Sequence, residues 1–235
     1  MQKVISSQLV NYEVSGSGKQ NLIILHGWGG SLQEWMPIAN SLSLRYRVWM
    51  IDFPGFGGSP KPSFDWSIYD YADFIREFIK EFNIKDPVVM GHSFGGRVAI
   101  LLEAQKLILV DAAGLEIKNL KATIGGLIFD KMGFMKKYIP TNLKNLFGSA
   151  DYKSAGNMRK IFVKVVNQDL SKEMTEVKCP TLIIWGEKDR VLPISQAKMI
   201  NQLIRDSEIR VVWGADHWPH LSRQKEFLEI LEEYI

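Results

Sequence analysis

A serine flanked by glycines, in the hexapeptide GHSFGG at residues 91–96, has the residue types of a nucleophile on a sharp turn. The apolar run at residues 88–90 predicts a strand before it, and helical spacing begins near Phe94. A strand-to-helix turn of this kind forces its central residue to positive φ, and flanking glycines leave the space that Cβ atoms would fill. The turn pushes the Ser93 hydroxyl outward, so we predict that Ser93 attacks a carbonyl carbon.

A serine hydroxyl is a weak nucleophile at neutral pH unless an imidazole takes its proton and a carboxylate orients that imidazole. Asp189 comes just after the apolar run at residues 182–185, and His217 comes just after the run at residues 209–212. Parallel strands bring their carboxyl ends to one edge of a sheet. We therefore predict that Ser93, Asp189 and His217 converge there as a catalytic triad.

Other residues compete for the acid and base roles. Asp111 also ends an apolar run and is the alternative to Asp189, and His220 is the alternative to His217. Asp216, His217 and His220 have a spacing that is compatible with metal binding, but no further ligand is evident. We expect no metal, and the proposed chemistry requires no cofactor.

A second glycine-rich turn, HGWGG at residues 26–30, follows the apolar run at residues 22–25. Its backbone N–H groups are free to point into a cleft, so the amides of Trp28 and Phe94 are predicted to form an oxyanion hole. His26 and His92 lie beside the same cleft, and we assign them structural roles rather than acid–base roles.

Strands and helices alternate along the chain, which predicts an α/β fold with a doubly wound, mostly parallel sheet. Short runs that are mainly apolar and β-branched predict strands at residues 22–25, 48–51, 88–90, 107–110, 182–185 and 209–212. Amphipathic stretches predict helices at residues 69–82, 94–104, 195–204 and 223–235. Residues 3–14 are expected to add an antiparallel hairpin at the edge of the sheet. We interpret residues 1–235 as a single domain.

The alternation stops at about residues 115–177, where apolar residues recur at helical spacing among lysines. This pattern predicts a compact helical cap inserted after the sixth strand. Between residues 115 and 170 the chain carries ten basic and four acidic residues, a net charge of +6 against +3 for the whole chain. The lysines fit a solvated face, and apolar residues such as Phe162 and Val163 either pack as core or line an acyl pocket.

Composition excludes several classes of function. With 235 residues, 46% of them hydrophobic, the chain is long enough for a packed core, and a net charge of +3 is too small for a general nucleic-acid binder. Cys179 is the single cysteine, so no internal disulfide forms and a cytoplasmic location is expected. Residues 1–18 contain no secretory signal, and no apolar run is long enough for stable membrane insertion.

The elbow, the glycine-rich turn and the ordered serine, aspartate and histidine together resemble the alpha/beta-hydrolase fold superfamily. A further segment, DFPGFGGS at residues 52–59, resembles the family's turn after its fourth strand, and the likeness runs over residues 22–220. The resemblance implies a carboxylesterase-like serine hydrolase that cleaves a small-molecule carboxylic ester of small or medium acyl length through an acyl-enzyme.

The same resemblance leaves other functions open. Carbon–carbon bond hydrolases and thioesterases of the family share the triad, and some ligand sensors of this fold keep it with little turnover. A resemblance to the pimeloyl-carrier methyl esterases implies one possible partner, an acidic acyl carrier protein that would bind the basic cap.

Overall fold

The computed structural model describes residues 1–115 and 155–235, and within them eight strands form one sheet. The strands are β1 (Gln2–Ile5), β2 (Gln8–Ser15), β3 (Gln20–Leu25), β4 (Tyr46–Ile51), β5 (Val88–His92), β6 (Lys106–Val110), β7 (Thr181–Gly186) and β8 (Ser207–Val212). Their order is β1-β2-β4-β3-β5-β6-β7-β8. β2 pairs antiparallel with β1 and β4, and all other pairs are parallel. This confirms the α/β class and the mostly parallel sheet with its edge hairpin.

Helices cover both faces of the sheet. They are α1 (Met36–Leu42), α2 (Ile68–Glu81), α3 (Phe94–Ile100), α4 (Arg159–Val166), α5 (Ser171–Glu176), α6 (Ser195–Leu203), α7 (Pro219–Ser222) and α8 (Gln224–Tyr234), with short 3₁₀ segments at Leu32–Trp35 and Gly156–Met158. Alternate residues of β3 face opposite cores. Ile23 packs in the core that α2, α3 and α6 cover, and Leu22 in the core that α1 and α8 cover. None of the described helices is long and apolar enough to cross a membrane.

Two differences from the sequence-based elements have local causes. The helix predicted for residues 94–104 ends at Ile100, because Leu101 and Leu102 donate to the carbonyls of Val98 and Ala99 in tighter turns. The chain then returns to the sheet to begin β6. Helix α1 was not predicted, since its seven residues are too few to display a clear period.

Residues 116–154, which include most of the predicted cap, lie outside the described residues. Seven of the ten basic cap residues fall there: Lys118, Lys121, Lys131, Lys136, Lys137, Lys144 and Lys153. The described remainder comprises α4 and α5. The amide of Leu170 donates to the carbonyl of Gly114 at 2.8 Å, which joins the two sides of the insertion. The single-domain boundaries and the cap at residues 115–177 stay predictions.

Candidate active site

Ser93 is the single residue between β5 and α3, and its backbone dihedral angles are φ 49° and ψ −109°. Its amide donates to the carbonyl of Val110 on the neighbouring strand at 3.0 Å, and its own carbonyl accepts from Gly96 at 3.1 Å. These bonds stabilise a backbone conformation that is unfavourable for a residue with a Cβ atom. The predicted strand-to-helix elbow is therefore present, and its serine is partly exposed.

The elbow depends on Gly95, where the first turn of α3 passes β3. A Cβ atom added there would lie 2.2 Å from the carbonyl oxygen of Leu25. We expect Gly95→Ala to lower the free energy of unfolding by about 2 kcal/mol or more, because the obstacle is backbone and must shift. Urea unfolding measures the change. Gly30→Ala is the matched control, since its Cβ would first meet the flexible Glu34 carboxylate; equal losses in both variants would contradict this account.

The imidazole of His217 is oriented by Asp189. His217 Nδ1 lies 2.8 Å from Asp189 Oδ2, and both side chains are buried. Asp189 Oδ1 accepts hydrogen bonds from the amides of Val191 and Leu192, at 2.6 and 2.8 Å, so the carboxylate is fixed by its own loop. This arrangement assigns the Nδ1 proton to the Asp189 contact and leaves Nε2 available as a base.

Ser93 and His217 line the same cavity, which has a volume of about 200 Å³. Trp28 and Phe94 line it as well. Its walls are largely apolar, and α4 contributes Phe162, which is buried, whereas Val163 is exposed. The structure therefore gathers the predicted nucleophile, base and oxyanion residues around one cavity.

The backbone amides of Trp28 and Phe94 have no hydrogen-bond acceptor among the described residues. Two unpaired N–H groups beside a cavity are what an oxyanion hole needs. Buried Asp52, which the sequence reasoning missed, holds the adjacent backbone: Oδ1 accepts from the amide of Leu32 at 2.7 Å, and Oδ2 from that of Gly58 at 2.8 Å. An acidic residue directly after the apolar run at residues 48–51 was the available signal.

The two histidines beside the site, His26 and His92, make structural hydrogen bonds. His26 accepts from the amide of Phe53 at Nε2, at 3.0 Å, and its Nδ1 lies 2.7 Å from the carbonyl of Gly27. His92 Nε2 lies 2.7 Å from the carbonyl of His217 and so supports the loop of the proposed base. Burial lowers the pKa of both rings, that of His92 to well below its usual value. The hydrogen bond that His26 Nε2 accepts requires a neutral ring, because an imidazolium can only donate.

His220 stacks on Trp35 with ring centroids 3.8 Å apart, and among the described residues neither ring nitrogen has a hydrogen-bond partner. In the part of the chain that the structure describes, Asp216, His217 and His220 do not form a group of potential metal ligands. Instead, a carboxylate oxygen of Asp111, a carboxylate oxygen of Asp189 and a ring nitrogen of His217 lie within 4.8 Å of one another. His217 Nδ1 is hydrogen-bonded to Asp189, which favours Asp189 over Asp111 as the acid.

Replacing His220 by Phe is expected to make stability less sensitive to acid. Burial lowers the pKa of His220 to about 3, whereas in the unfolded chain it has its ordinary value. Below about pH 6.5 the unfolded state therefore binds the extra proton, and the free energy of unfolding falls as the pH falls. Between about pH 7 and 5 this single group accounts for about 2 kcal/mol.

Phe keeps the aromatic stack on Trp35 and cannot titrate. Urea unfolding of the parent and of His220→Phe across this pH range gives the two slopes. A slope that does not change on substitution would contradict the assignment of a neutral, buried His220.

Two further cavity residues were missed. Arg97 is buried, and its Nη1 donates to the carbonyl of Gln168 at 2.6 Å, which ties α3 to the segment between α4 and α5. Burial lowers the pKa of Arg97 to about 10. Gln196 is also buried, and its Oε1 has no partner among the described residues. The sequence signal for Arg97 was a single charged residue in helix α3, whose other residues are glycines and apolar residues.

Comparisons with known proteins identify the family and the fold. The family model described as "Alpha/beta hydrolase family" matches residues 22–230. The monoacylglycerol lipase ABHD6 of Mus musculus is 25% identical over 256 residues, covering 92% of this chain and 76% of the relative. The 2-hydroxy-6-oxononadienedioate/2-hydroxy-6-oxononatrienedioate hydrolase of Paraburkholderia phymatum is 23% identical over 262 residues, covering 96% and 90%. A solved esterase from Exiguobacterium antarcticum has a TM-score of 0.79 at 23% identity, covering 100% and 98%.

Proposed function

The chain belongs to the alpha/beta hydrolase family, and from that membership we propose that it is a serine hydrolase that cleaves carboxylic esters through an acyl-enzyme. The observation that carries the proposal is the 2.8 Å contact between His217 Nδ1 and Asp189 Oδ2, which orients an imidazole that lines the same cavity as Ser93. An imidazole held by a buried carboxylate, in the same cavity as an elbow serine, is an arrangement suited to acyl transfer.

In the first half of the proposed cycle, Ser93 Oγ bonds to the ester carbonyl carbon while its proton passes to His217 Nε2. The carbonyl oxygen becomes negative and accepts hydrogen bonds from the amides of Trp28 and Phe94. When the tetrahedral intermediate collapses, the carbon–oxygen bond to the alcohol breaks and His217 returns the proton to that oxygen. Asp189 stabilises the transient imidazolium.

In the second half, His217 removes a proton from water, whose oxygen attacks the acyl carbon. Collapse of the second intermediate breaks the bond to Ser93 Oγ, which recovers its proton from His217. The products are a carboxylic acid and free enzyme. The buried, apolar surface that Phe162 contributes favours an apolar acyl group of small or medium length.

A second candidate is hydrolysis of a carbon–carbon bond, which the similarity to the Paraburkholderia phymatum hydrolase favours. The same serine, histidine and aspartate would serve, with a carbon leaving group in place of an alcohol. Turnover of aryl and alkyl esters, with no turnover of vinylogous diketones, would favour the ester; the reverse pattern would favour the second candidate. Thioester cleavage and ligand sensing with little turnover are the further alternatives.

The experiment that tests the proposal is covalent trapping. A fluorophosphonate is expected to phosphonylate Ser93 Oγ with loss of fluoride, and peptide mass spectrometry locates the adduct. A series of chromogenic esters of increasing acyl length then gives kcat/KM for each. Labelling at another residue, or tight ester binding without multiple turnover, would overturn the proposal, and the second result would point to a sensor.

An acidic acyl carrier protein stays the proposed partner of the basic cap. Charge attraction of this kind speeds encounter and is screened by salt. The kcat/KM for a carrier-bound ester is expected to fall as salt is raised, while that for the free ester stays constant. Equal values for both esters at all salt concentrations would remove this partner.

A further inference from the structure

Asp111 lies at the end of β6, directly beside the loop that carries Asp189. Its amide donates to the carbonyl of Ile184 on β7 at 2.9 Å, and its side-chain Oδ1 accepts from the amide of Gly186 at 2.9 Å. The side chain therefore extends the β6–β7 ladder beyond the last strand pair. Asp111 has no solvent exposure and a φ of 40°, an unusual value for a residue with a side chain. Such strained, buried positions are common where a side chain is held for function.

The second carboxyl oxygen, Oδ2 of Asp111, has no hydrogen-bond partner among the described residues if the group is read as a carboxylate, which can only accept. An oxygen of Asp111 lies within 4.8 Å of an oxygen of Asp189 and of a ring nitrogen of His217. Asp189 already accepts three hydrogen bonds, two from its own loop and one from His217.

Two adjacent buried carboxyl groups cannot both be ionised at modest cost, because each loses its hydration and repels the other. Asp189 is the one stabilised as an anion by three donors. Burial first, and then the charge of Asp189, raises the pKa of Asp111 well above its usual value, and the exposed carboxylate of Asp216 acts in the same direction. Its Oδ1 contact with the amide of Gly186 works the other way but is outweighed.

We propose that Asp111 carries a proton on Oδ2 and donates it in a hydrogen bond to the carboxylate of Asp189, as a positioning residue behind the triad. This accounts for the unpartnered oxygen, since a carboxylic acid is both a donor and an acceptor. The bond stabilises the Asp189 anion and fixes the plane in which it receives His217 Nδ1. The proposal rests on the proposed function only in that Asp189 is taken as the acid of the triad.

Two variants, Asp111→Asn and Asp111→Val, test whether residue 111 acts as a neutral hydrogen-bond donor or only fills space in the core. Asparagine can accept from Gly186 through Oδ1 and donate to Asp189 through Nδ2, so kcat is expected to stay within about 3-fold of the parent value. Valine can do neither, and kcat is expected to fall by about 10-fold to 100-fold with little change in KM. A loss in Asp111→Asn as large as that in Asp111→Val would overturn the proposal.

Infrared difference spectroscopy provides a readout that does not depend on turnover or on the folding of the valine variant. At neutral pH the parent is expected to show the carbonyl stretch of a protonated carboxyl group, and Asp111→Asn is expected to lose it. The same spectrum for both proteins would overturn the proposal. So would loss of activity on chelation with EDTA and its return with a divalent cation, since an ion would then occupy the place of the proton.

Failure of the proposed function and failure of the proposal for Asp111 give different experimental results. If the parent neither turns over esters nor is labelled at Ser93, the proposed function fails, and the infrared band still decides the state of Asp111. If esters are cleaved and the band is absent, the function stands and only the role of Asp111 falls.

Discussion

Ser93→Ala is expected to lower kcat for an ester substrate by roughly 10⁴-fold to 10⁶-fold, the range found when the nucleophile of a serine triad is removed. The substitution removes the oxygen of the proposed nucleophile and leaves the elbow in place. Alanine meets the same backbone strain at φ 49° as serine does, so the free energy of unfolding should change little. Steady-state kinetics, with thermal unfolding as the check on folding, measure both quantities.

Ser41→Ala is the matched control, since Ser41 lies exposed on α1 and its loss should leave kcat unchanged. Active-site titration with the fluorophosphonate excludes a trace of parent enzyme as the source of residual rate. Ser93→Ala protein that retained a tenth of the parent kcat would show that another group is the nucleophile, and the proposed cycle would fall with it.

Asp189→Asn is expected to lower kcat by about 10⁴-fold. The local hydrogen bonds decide how the new amide is oriented. Oδ1 is fixed by two donors, the amides of Val191 and Leu192, so the amide oxygen takes that place and the NH₂ group faces His217. The new NH₂ group and the Nδ1–H group of His217 would then be two donors facing each other. The imidazole would therefore carry its proton on Nε2 instead, and Nε2 could no longer accept a proton from Ser93.

The control for this variant is Asp216→Asn, which removes a charge next to His217 in sequence. Asp216 is exposed, and its Oδ1 accepts from the amide of Trp218 at 3.0 Å, a bond that asparagine can also make. We expect kcat within about 3-fold of the parent. The pH profile of kcat/KM distinguishes the two variants further. Equal losses in Asp189→Asn and Asp216→Asn would indicate a general effect of charge and contradict the assigned acid.

The order of strands and helices could be predicted from the sequence because each element leaves a local pattern. Apolar runs such as residues 182–185 identified the strands buried on both faces, and their ends were correct to within about two residues. The candidate site followed from the positions of these strands, since Ser93, Asp189 and His217 each come just after a predicted strand. Glycines around Ser93 identified the elbow, because only its backbone geometry requires them there.

The sequence by itself determined the fold class and the candidates for nucleophile, base and acid, because period, turn chemistry and chain order are properties of neighbouring residues. Only the tertiary structure shows which of Asp189 and Asp111 contacts His217 Nδ1, since both follow parallel strands and the contact is made by Asp189. It also revealed Arg97 within the cavity and the missing partner of Asp111 Oδ2. Burial and hydrogen-bond partnership join residues far apart in the chain, and no local pattern records them.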